Sequence, residues 1–327
     1  MWCWGNNGSG QLGDASTTSR DAPAQESSGS AWKAVSAGAS HTCAIKSDGT
    51  LWCWGADGSG QLGNGAGISG NQTSPVQESS GSAWKAVSAG DSHTCAVKSD
   101  GTLWCWGADG SGQLGNGGVT GSQQDPSQES SGSTWIEVSA DEVHTCAVKS
   151  DGTLWCWGSD ADGRLGNGAA VTANQVSPYA VTGGGTWKKI SAGFNYTCGI
   201  KTGGTAWCWG DDAVGKLGNG ASTTADQDSP RAVLGGGNWV DISASTSNAT
   251  FRHTCGLSGP QGNAKAYCWG FLSDGQHGTG VWGYTESPGQ SKMWCSDPSY
   301  GPAVMIYNSD HKLIQYCDGA GWVKAGK

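Results

Sequence analysis

The sequence is short of charge, and shortest of positive charge. Charged residues make up 14% of its 327 positions, with 18 Lys and Arg against 27 Asp and Glu, a balance of −9. A nucleic-acid binder needs a basic stripe to displace phosphate counterions, so this balance opposes that class. It equally opposes attachment to anionic membrane surfaces. No apolar run approaches the ~20 residues of a spanning helix. No Cys-x-x-Cys occurs, which leaves zinc ribbons and haem attachment without support. The glycine-rich runs lack the Gly-Lys-Ser/Thr ending of a phosphate loop, and no serine sits in a nucleophile-elbow context.

What is abundant is glycine (57), tryptophan (19) and cysteine (13). Glycine exceeds the usual ~7%, yet without a three-residue period, so the chain is not collagen-like. So many tryptophans oppose disorder. Residues 31–65 and 83–117 differ at only two of 35 positions. Trp-Cys-Trp-Gly, or its variant Tyr267-Cys268-Trp269-Gly270, occurs six times, with cysteines Cys3, Cys53, Cys105, Cys156, Cys208 and Cys268. A period near 50 residues with turn signals and little helical periodicity predicts four-stranded propeller blades.

One repeat shows why. Trp32–Ala37, His41–Lys46 and 50–55 read as strands, and Ser74-Pro75-Val76-Gln77 as a proline-marked edge strand. Ser47-Asp48-Gly49 suits a three-residue hairpin loop ending in a left-handed glycine. Counting back from that loop puts Lys46 opposite Thr50 and Cys43 opposite Cys53. Alternation makes the cysteines a non-hydrogen-bonded pair, with α-carbons about 4.5 Å apart, within the range a disulfide accepts. The same counting predicts Cys43–Cys53, Cys95–Cys105, Cys146–Cys156 and Cys198–Cys208, with Cys255–Cys268 across a longer loop. Cys43, Ile45, Leu51 and Cys53 share one hairpin face, and Trp52 and Trp54 the other. A sheet apolar on both faces must be sandwiched between neighbours, as stacked blades are.

His-Thr-Cys-Ala-x-Lys-Ser-Asp-Gly-Thr-Leu-Trp-Cys-Trp-Gly followed by Gly-Gln-Leu-Gly-Asn-Gly resembles the regulator of chromosome condensation repeat, over roughly residues 1–290. The resemblance implies an all-β propeller, here of six to seven blades with the first half present. It implies no cofactor. The family's eukaryotic namesake is a nuclear exchange factor and chromatin binder; the acidity and paired cysteines of this chain depart from it. Secreted bacterial members, which bind proteins through propeller loops, are closer in character. Residues 293–327 break the period and read as a hairpin, 303–307 with 312–317. This tail, assigned as a second domain over 291–327, is similar to a short module of bacterial surface proteins, which implies a Cys295–Cys317 pair.

Candidate chemistry is sparse. His41, His93, His144 and His253 recur at one repeat position, and Tyr196 fills it in the fifth copy. Ring symmetry spreads such residues apart, whereas ligands must converge within about 2 Å of one ion, so these histidines read as structural, bonded to backbone. Asp160-Ala161-Asp162-Gly163 lacks the distal Glu of a helix-flanked calcium loop and reads as a turn. The hairpin tryptophans read as packing between blades; Trp282 and Trp322, outside the pattern, are better candidates for exposed stacking. No polar cluster breaking the symmetry at the axis is visible, which opposes an enzyme.

The expectation is therefore an extracellular, non-enzymatic binding or adhesion scaffold, recognising a protein or cell-surface partner through the differing segments 66–74, 118–125, 169–177 and 221–229. The alternatives are a secreted inhibitor of an enzyme and a carbohydrate-active propeller enzyme. Export would need a signal peptide, yet Met1-Trp2-Cys3-Trp4-Gly5 is already repeat sequence. A natural N-terminus further upstream is expected, with Cys3 left unpaired.

Overall fold

The computed structural model describes residues 1–65, 70–81, 83–119, 121–168, 173–220, 225–235, 237–246, 252–260 and 264–271, and the strands 284–290, 305–308, 313–317 and 322–324. The chain opens with β1 (Trp2–Gly5) and β2 (Arg20–Gln25), which form a two-stranded sheet. Five four-stranded antiparallel sheets follow. The first is β3 (Trp32–Ala37), β4 (His41–Lys46), β5 (Leu51–Gly55) and β6 (Gln72–Gln77). The second is β7 (Trp84–Ala89), β8 (His93–Lys98), β9 (Leu103–Ala108) and β10 (Ser122–Gln128). The third is β11 (Trp135–Ala140), β12 (His144–Lys149), β13 (Leu154–Gly158) and β14 (Gln175–Ala180). The fourth is β15 (Trp187–Gly193), β16 (Tyr196–Lys201), β17 (Ala206–Gly210) and β18 (Gln227–Ala232). The fifth is β19 (Trp239–Ala244), β20 (His253–Ser258), β21 (Lys265–Phe271) and β22 (Tyr284–Gln290).

The fold is an all-β propeller. The expected six to seven blades are corrected to five complete blades among the described residues. Counting Trp-Cys-Trp-Gly counts third strands, and the copy at Cys3 brings only a third and a fourth strand, β1 and β2.

Within each blade the strands pair in sequence order, and successive first strands β3, β7, β11, β15 and β19 touch one another. They therefore form the inner edges of the blades. The hairpin register is set locally. Gly49, Gly101 and Gly152 turn at φ +86°, +91° and +82°, a conformation that suits glycine. Lys46 then closes the loop by donating to the Thr50 carbonyl at 2.9 Å. Four pairs, Cys43–Cys53, Cys95–Cys105, Cys146–Cys156 and Cys198–Cys208, are disulfides with α-carbons 4.1 Å apart. Cys255–Cys268 is the fifth.

The core lies between blades. Cys43, Ile45, Leu51 and Cys53 of the first blade pack with Trp84, Ala96 and Trp106 of the second, and Leu62 fills the gap. The next junction repeats this with Cys95, Val97, Leu103 and Cys105 against Trp135 and Trp157. The first four disulfides are thus fully buried under the next blade's tryptophans, while Cys255 of the fifth is half-buried. At the other end of Trp84, Glu78 accepts from the indole N–H at 3.0 Å. The fifth blade has Val233 at the matching position, and Trp239 Nε1 is buried without a partner.

The tail forms a three-stranded sheet, β23 (Met305–Asn308), β24 (Leu313–Cys317) and β25 (Trp322–Lys324). The expected hairpin is its first pair, with Tyr307 opposite Ile314. Cys295 of the expected Cys295–Cys317 pair lies outside the described residues.

Candidate functional site

One hydrogen-bond relay locks neighbouring blades. The Gly-Gln-Leu-Gly loop after each third strand reaches over the next blade. There the Gln61 carbonyl accepts from the Thr94 hydroxyl at 2.8 Å and from the Trp106 indole at 2.9 Å. The Asp57 carboxylate holds the loop by accepting from the Leu62 N–H at 3.1 Å. Gly63 lies against the same indole: a Cβ there would meet Trp106 Nε1 at 2.6 Å.

The relay also fixes the histidines. Thr94 spends its one hydroxyl hydrogen on the Gln61 carbonyl, so it must accept from His41 Nε2 at 2.9 Å. His93 meets Thr145 and His144 meets Thr197 in the same way. The hydrogen therefore sits on Nε2, and Nδ1 is buried with no partner in all three. Burial pushes His41 down to about 4 and His93 to about 3, so the rings stay neutral. The expected backbone partner is corrected to a threonine hydroxyl of the next blade. Among the described residues no group of three or more His, Cys, Asp or Glu is placed to hold a metal ion.

Antiparallel topology puts the first-to-second turns and the third-to-fourth connections at one end of the blades. The Ser-Asp-Gly turns and the fourth-to-first links lie at the other. The third-to-fourth connections leave the third strands at the first of these ends, and the described parts of the four differing segments lead into β6, β10, β14 and β18. Residues 66–69, 120, 169–172 and 221–224 of these segments lie outside the described positions.

The first-to-second turns at this end break the symmetry. Where Gly38-Ala39-Ser40 and Gly90-Asp91-Ser92 stand in the first two blades, the third has Asp141-Glu142-Val143 and the fourth Gly193-Phe194-Asn195. Asp141 is fully buried, and neither of its carboxyl oxygens has a hydrogen-bond partner. Burial first, then Asp91 and Glu142, push it up to about 8. His144 Nδ1 lies 3.8 Å from Asp141 Oδ2, but burial lowers the histidine too, so the two form a neutral contact rather than an ion pair. Asp91 rises to about 6, from burial and then Glu142.

Across the next two junctions the polarity reverses. Arg164 and Lys216 replace the glutamine of the relay loop, each still offering its carbonyl to the next blade's tryptophan. Lys216 is buried and pairs with Asp211, which also accepts from Arg252 at 2.7 Å. Burial works to raise Asp211, and its bond to Lys216 outweighs this, holding the carboxyl below its usual range. Tyr196 stands where the histidine is elsewhere, donating to the His253 carbonyl at 2.8 Å and accepting from the Ser245 N–H at 2.9 Å. The Arg252 guanidinium lies 4.4 Å from the Phe194 ring. This cluster was missed in the sequence. Its signals were the glycine-to-aspartate change at Asp141 and the bases at Arg164 and Lys216.

A pH dependence follows. Asp141 has a raised folded pKa, so the folded state keeps a proton that the unfolded state gives up above about pH 4. Stability is therefore lost as pH rises from about 4 through about 8. Asp141→Asn is expected to raise Tm relative to the native chain at pH 9 and to leave it nearly unchanged at pH 4. Parallel melts at the two pH values check this; an equal shift at both would reject it.

The other sequence candidates resolve as packing. Asp160 accepts from Leu165 N–H and Asn167, and Asp162 pairs with Arg164. Trp54 tilts against Trp32 at 5.6 Å, and Trp52 lies 3.6 Å under the Lys46 ammonium. Trp282 lies outside the described residues, and Trp322 is placed only as the first residue of β25. Among the described residues no helix is long and apolar enough to cross a membrane.

Comparison with known proteins agrees with this architecture. The Arabidopsis thaliana ultraviolet-B receptor UVR8 is 30% identical over 324 residues, which cover 98% of this chain and 68% of that protein. The mouse E3 ubiquitin-protein ligase HERC2 is 32% identical over 142 residues, 42% of this chain but 3% of that one. Among solved structures, human WBSCR16 superposes with a TM-score of 0.76 at 15% identity, over 100% of this chain and 93% of that one. A structure of Kap60 bound to yeast RCC1 (Prp20) gives 0.61 at 16% identity, over 100% and 89%. At these identities the structures speak for the fold alone. The RCC1-like domain model matches residues 1–303, and the chain belongs to the RCC1-like propeller family.

Proposed function

We propose that the chain is an extracellular, disulfide-braced, non-enzymatic scaffold that binds a protein or surface partner with one end of its propeller. The observation that carries this is the sorting of sequence change. The inter-blade relay, the cysteine pairs and the Ser-Asp-Gly turns repeat. The differing segments and the Asp91–Glu142–Phe194–Arg252 series share one end. Loops on a rigid framework are where recognition is placed. The relatives support a binding role: UVR8 is named a receptor, and yeast RCC1 is seen bound to Kap60. Five disulfides support an oxidising compartment. The separate tail sheet supports reading 291–327 as its own module.

The test flattens the face. Asp91→Ala, Glu142→Ala and Phe194→Ala together restore the first blade's Ala39 at each turn. The control places alanine at Asp48, Asp100 and Asp151 on the opposite end. Capture from cell envelopes and secreted proteins is expected to fall at least about ten-fold, roughly 1.4 kcal/mol, for the flattened chain and to persist in the control. Loss that follows the control instead would reject this face.

A further inference from the structure

The first-to-second turns of neighbouring blades are joined by a backbone bond. The Ala39 N–H donates to the Gly90 carbonyl at 3.3 Å, the Asp91 N–H to the Asp141 carbonyl at 3.3 Å, and the Phe194 N–H to the Ser245 carbonyl at 2.9 Å. The matching bond, from the Glu142 N–H to the Gly193 carbonyl, is missing from those of the described residues. Sterics explain the gap. A Cβ on Gly38 would meet the Gly90 carbonyl oxygen at 2.1 Å, and one on Gly90 the Asp141 carbonyl oxygen at 2.2 Å. Asp141 carries that Cβ, so the turns of the third and fourth blades stand too far apart to bond. The rest of the junction is intact: the Ala192 N–H still donates to the Ser139 hydroxyl, and His144 still meets Thr197, both at 2.9 Å.

The same position lies over the blade's own histidine. A Cβ on Gly38 or Gly90 would sit 2.9 or 3.0 Å from Nδ1 of His41 or His93. In the third blade a carboxyl lies there, with Asp141 Oδ2 3.8 Å from His144 Nδ1. Both Asp141 oxygens and His144 Nδ1 are buried without a hydrogen-bond partner. Thr197 gives its hydrogen to the Arg164 carbonyl, so His144 Nε2 donates to Thr197 and Nδ1 presents a lone pair. An ionised carboxylate meets that lone pair with lone pairs of its own. A protonated one has a hydrogen to give, once about 1 Å of separation is closed. The other groups facing Asp141 are Asp91 and His93 of the preceding blade, Glu142 and Arg164 of its own, and Tyr196 of the next. Lys216 and Arg252 stand behind Tyr196. The Arg164 guanidinium, which favours the ionised form, is already bound to Asp162.

We propose that a single proton held between the Asp141 carboxyl and His144 Nδ1 latches the seam between the third and fourth blades, and that its loss frees the turn carrying Glu142. With the proton in place, Asp141 donates to His144 and its carboxyl stays inside. When hydroxide removes that proton as water, the carboxylate is left buried beside Asp91 and Glu142 with nothing to donate to it. A buried charge without a partner is costly, so the side chain turns out to solvent and carries its turn with it. The raised Asp141 pKa of about 8 places the latched state below that pH and the freed state above it. If this end of the propeller is the recognition face, its shape there changes with pH. The test reads the chain alone, so its outcome is separate from that of the proposed binding role.

Residue-resolved amide hydrogen exchange on the oxidised full chain provides that test. The Asp141 N–H closes its turn by donating to the His144 carbonyl at 3.1 Å, and the Gly38 N–H makes the same bond to His41 at 2.9 Å in a turn without the carboxyl. Exchange is compared at about pH 6.5 and about pH 9.5, corrected for the intrinsic rate at each. Protection of the Asp141 amide is expected to fall at least about ten-fold at the higher pH, while that of Gly38 stays within about two-fold. Asp141→Asn keeps a donor for His144 that does not titrate, so its turn should stay protected at both pH values. Asp141→Gly restores the residue of the first two blades and should likewise lose the pH dependence. An Asp141 amide equally protected at both pH values would overturn the proposal. So would a matching loss at Gly38, which would mean general loosening, or a native-like pH dependence in either variant.

Discussion

Chain reduced in denaturant and returned to buffer with reductant is expected to melt at least about 20 °C below the oxidised protein, or not to refold. Four of the disulfides close loops with a sequence separation of 10 and the fifth one of 13. In the chain-entropy model each contributes about 3 kcal/mol or less. Repeat arrays add such terms blade by blade. Five together reach the order of a typical domain's whole stability, about 5–15 kcal/mol. The native chain should nonetheless resist reductant at 25 °C, because every paired cysteine from Cys43 to Cys208 is fully buried. Thiol labelling follows this directly: rapid labelling of the cysteines paired from Cys43 to Cys208 in native chain treated with reductant, or an unchanged melt after reduction in denaturant, would contradict the packing described.

Gly90→Ala is expected to cost about 3–5 kcal/mol, in the range that marks a specific steric failure. A Cβ on Gly90 would meet the Asp141 carbonyl oxygen at 2.2 Å, and the neighbouring His93 ring atoms at 3.0 Å. Both blades would have to separate just where the histidine relay joins them, so the clash cannot be relieved by turning one side chain. Gly58→Ala is the control: nothing lies within 4 Å of a Cβ there. Its melt should match the native chain within about 0.5 kcal/mol. Equal melts for Gly90→Ala and Gly58→Ala would mean that the blades do not meet as closely as the relay requires.

How far the sequence could be read depended on the distance over which each feature is decided. The Cys43–Cys53 register is set by Ser47-Asp48-Gly49, three adjacent residues, and was legible by counting. The two apolar faces of the hairpin were legible by alternation. The partner of His41 was not: Thr94 is 53 residues away, and only the stacking of one blade on the next brings them together. Blade number was misjudged because Trp-Cys-Trp-Gly marks one strand of four, and at β1 that strand stands without its inner pair. The tail's third strand, Trp322–Lys324, is too short to show a period. Nothing in its own stretch of sequence marks Asp141 as buried; its burial comes from the neighbouring blades.

The same division bears on function. Residues that join blades are held by their neighbours on both sides, so change there is costly. The turns carrying Asp91, Glu142 and Phe194 are partly exposed, and change there alters charge and shape without disturbing the relay. The junction between the fourth and fifth blades shows the limit of this freedom. Lys216 enters the relay position but remains buried only with Asp211 beside it, as a buried cation requires a partner.

The most direct measurement is peptide mass mapping of the chain purified without reductant, with free thiols alkylated before digestion. The account predicts Cys43–Cys53, Cys95–Cys105, Cys146–Cys156, Cys198–Cys208 and Cys255–Cys268 as linked peptides, and an alkylated Cys3. Alkylated cysteines at the paired positions, or a bridge between blades such as Cys53 with Cys95, would contradict both the hairpin register and the stacking built on it.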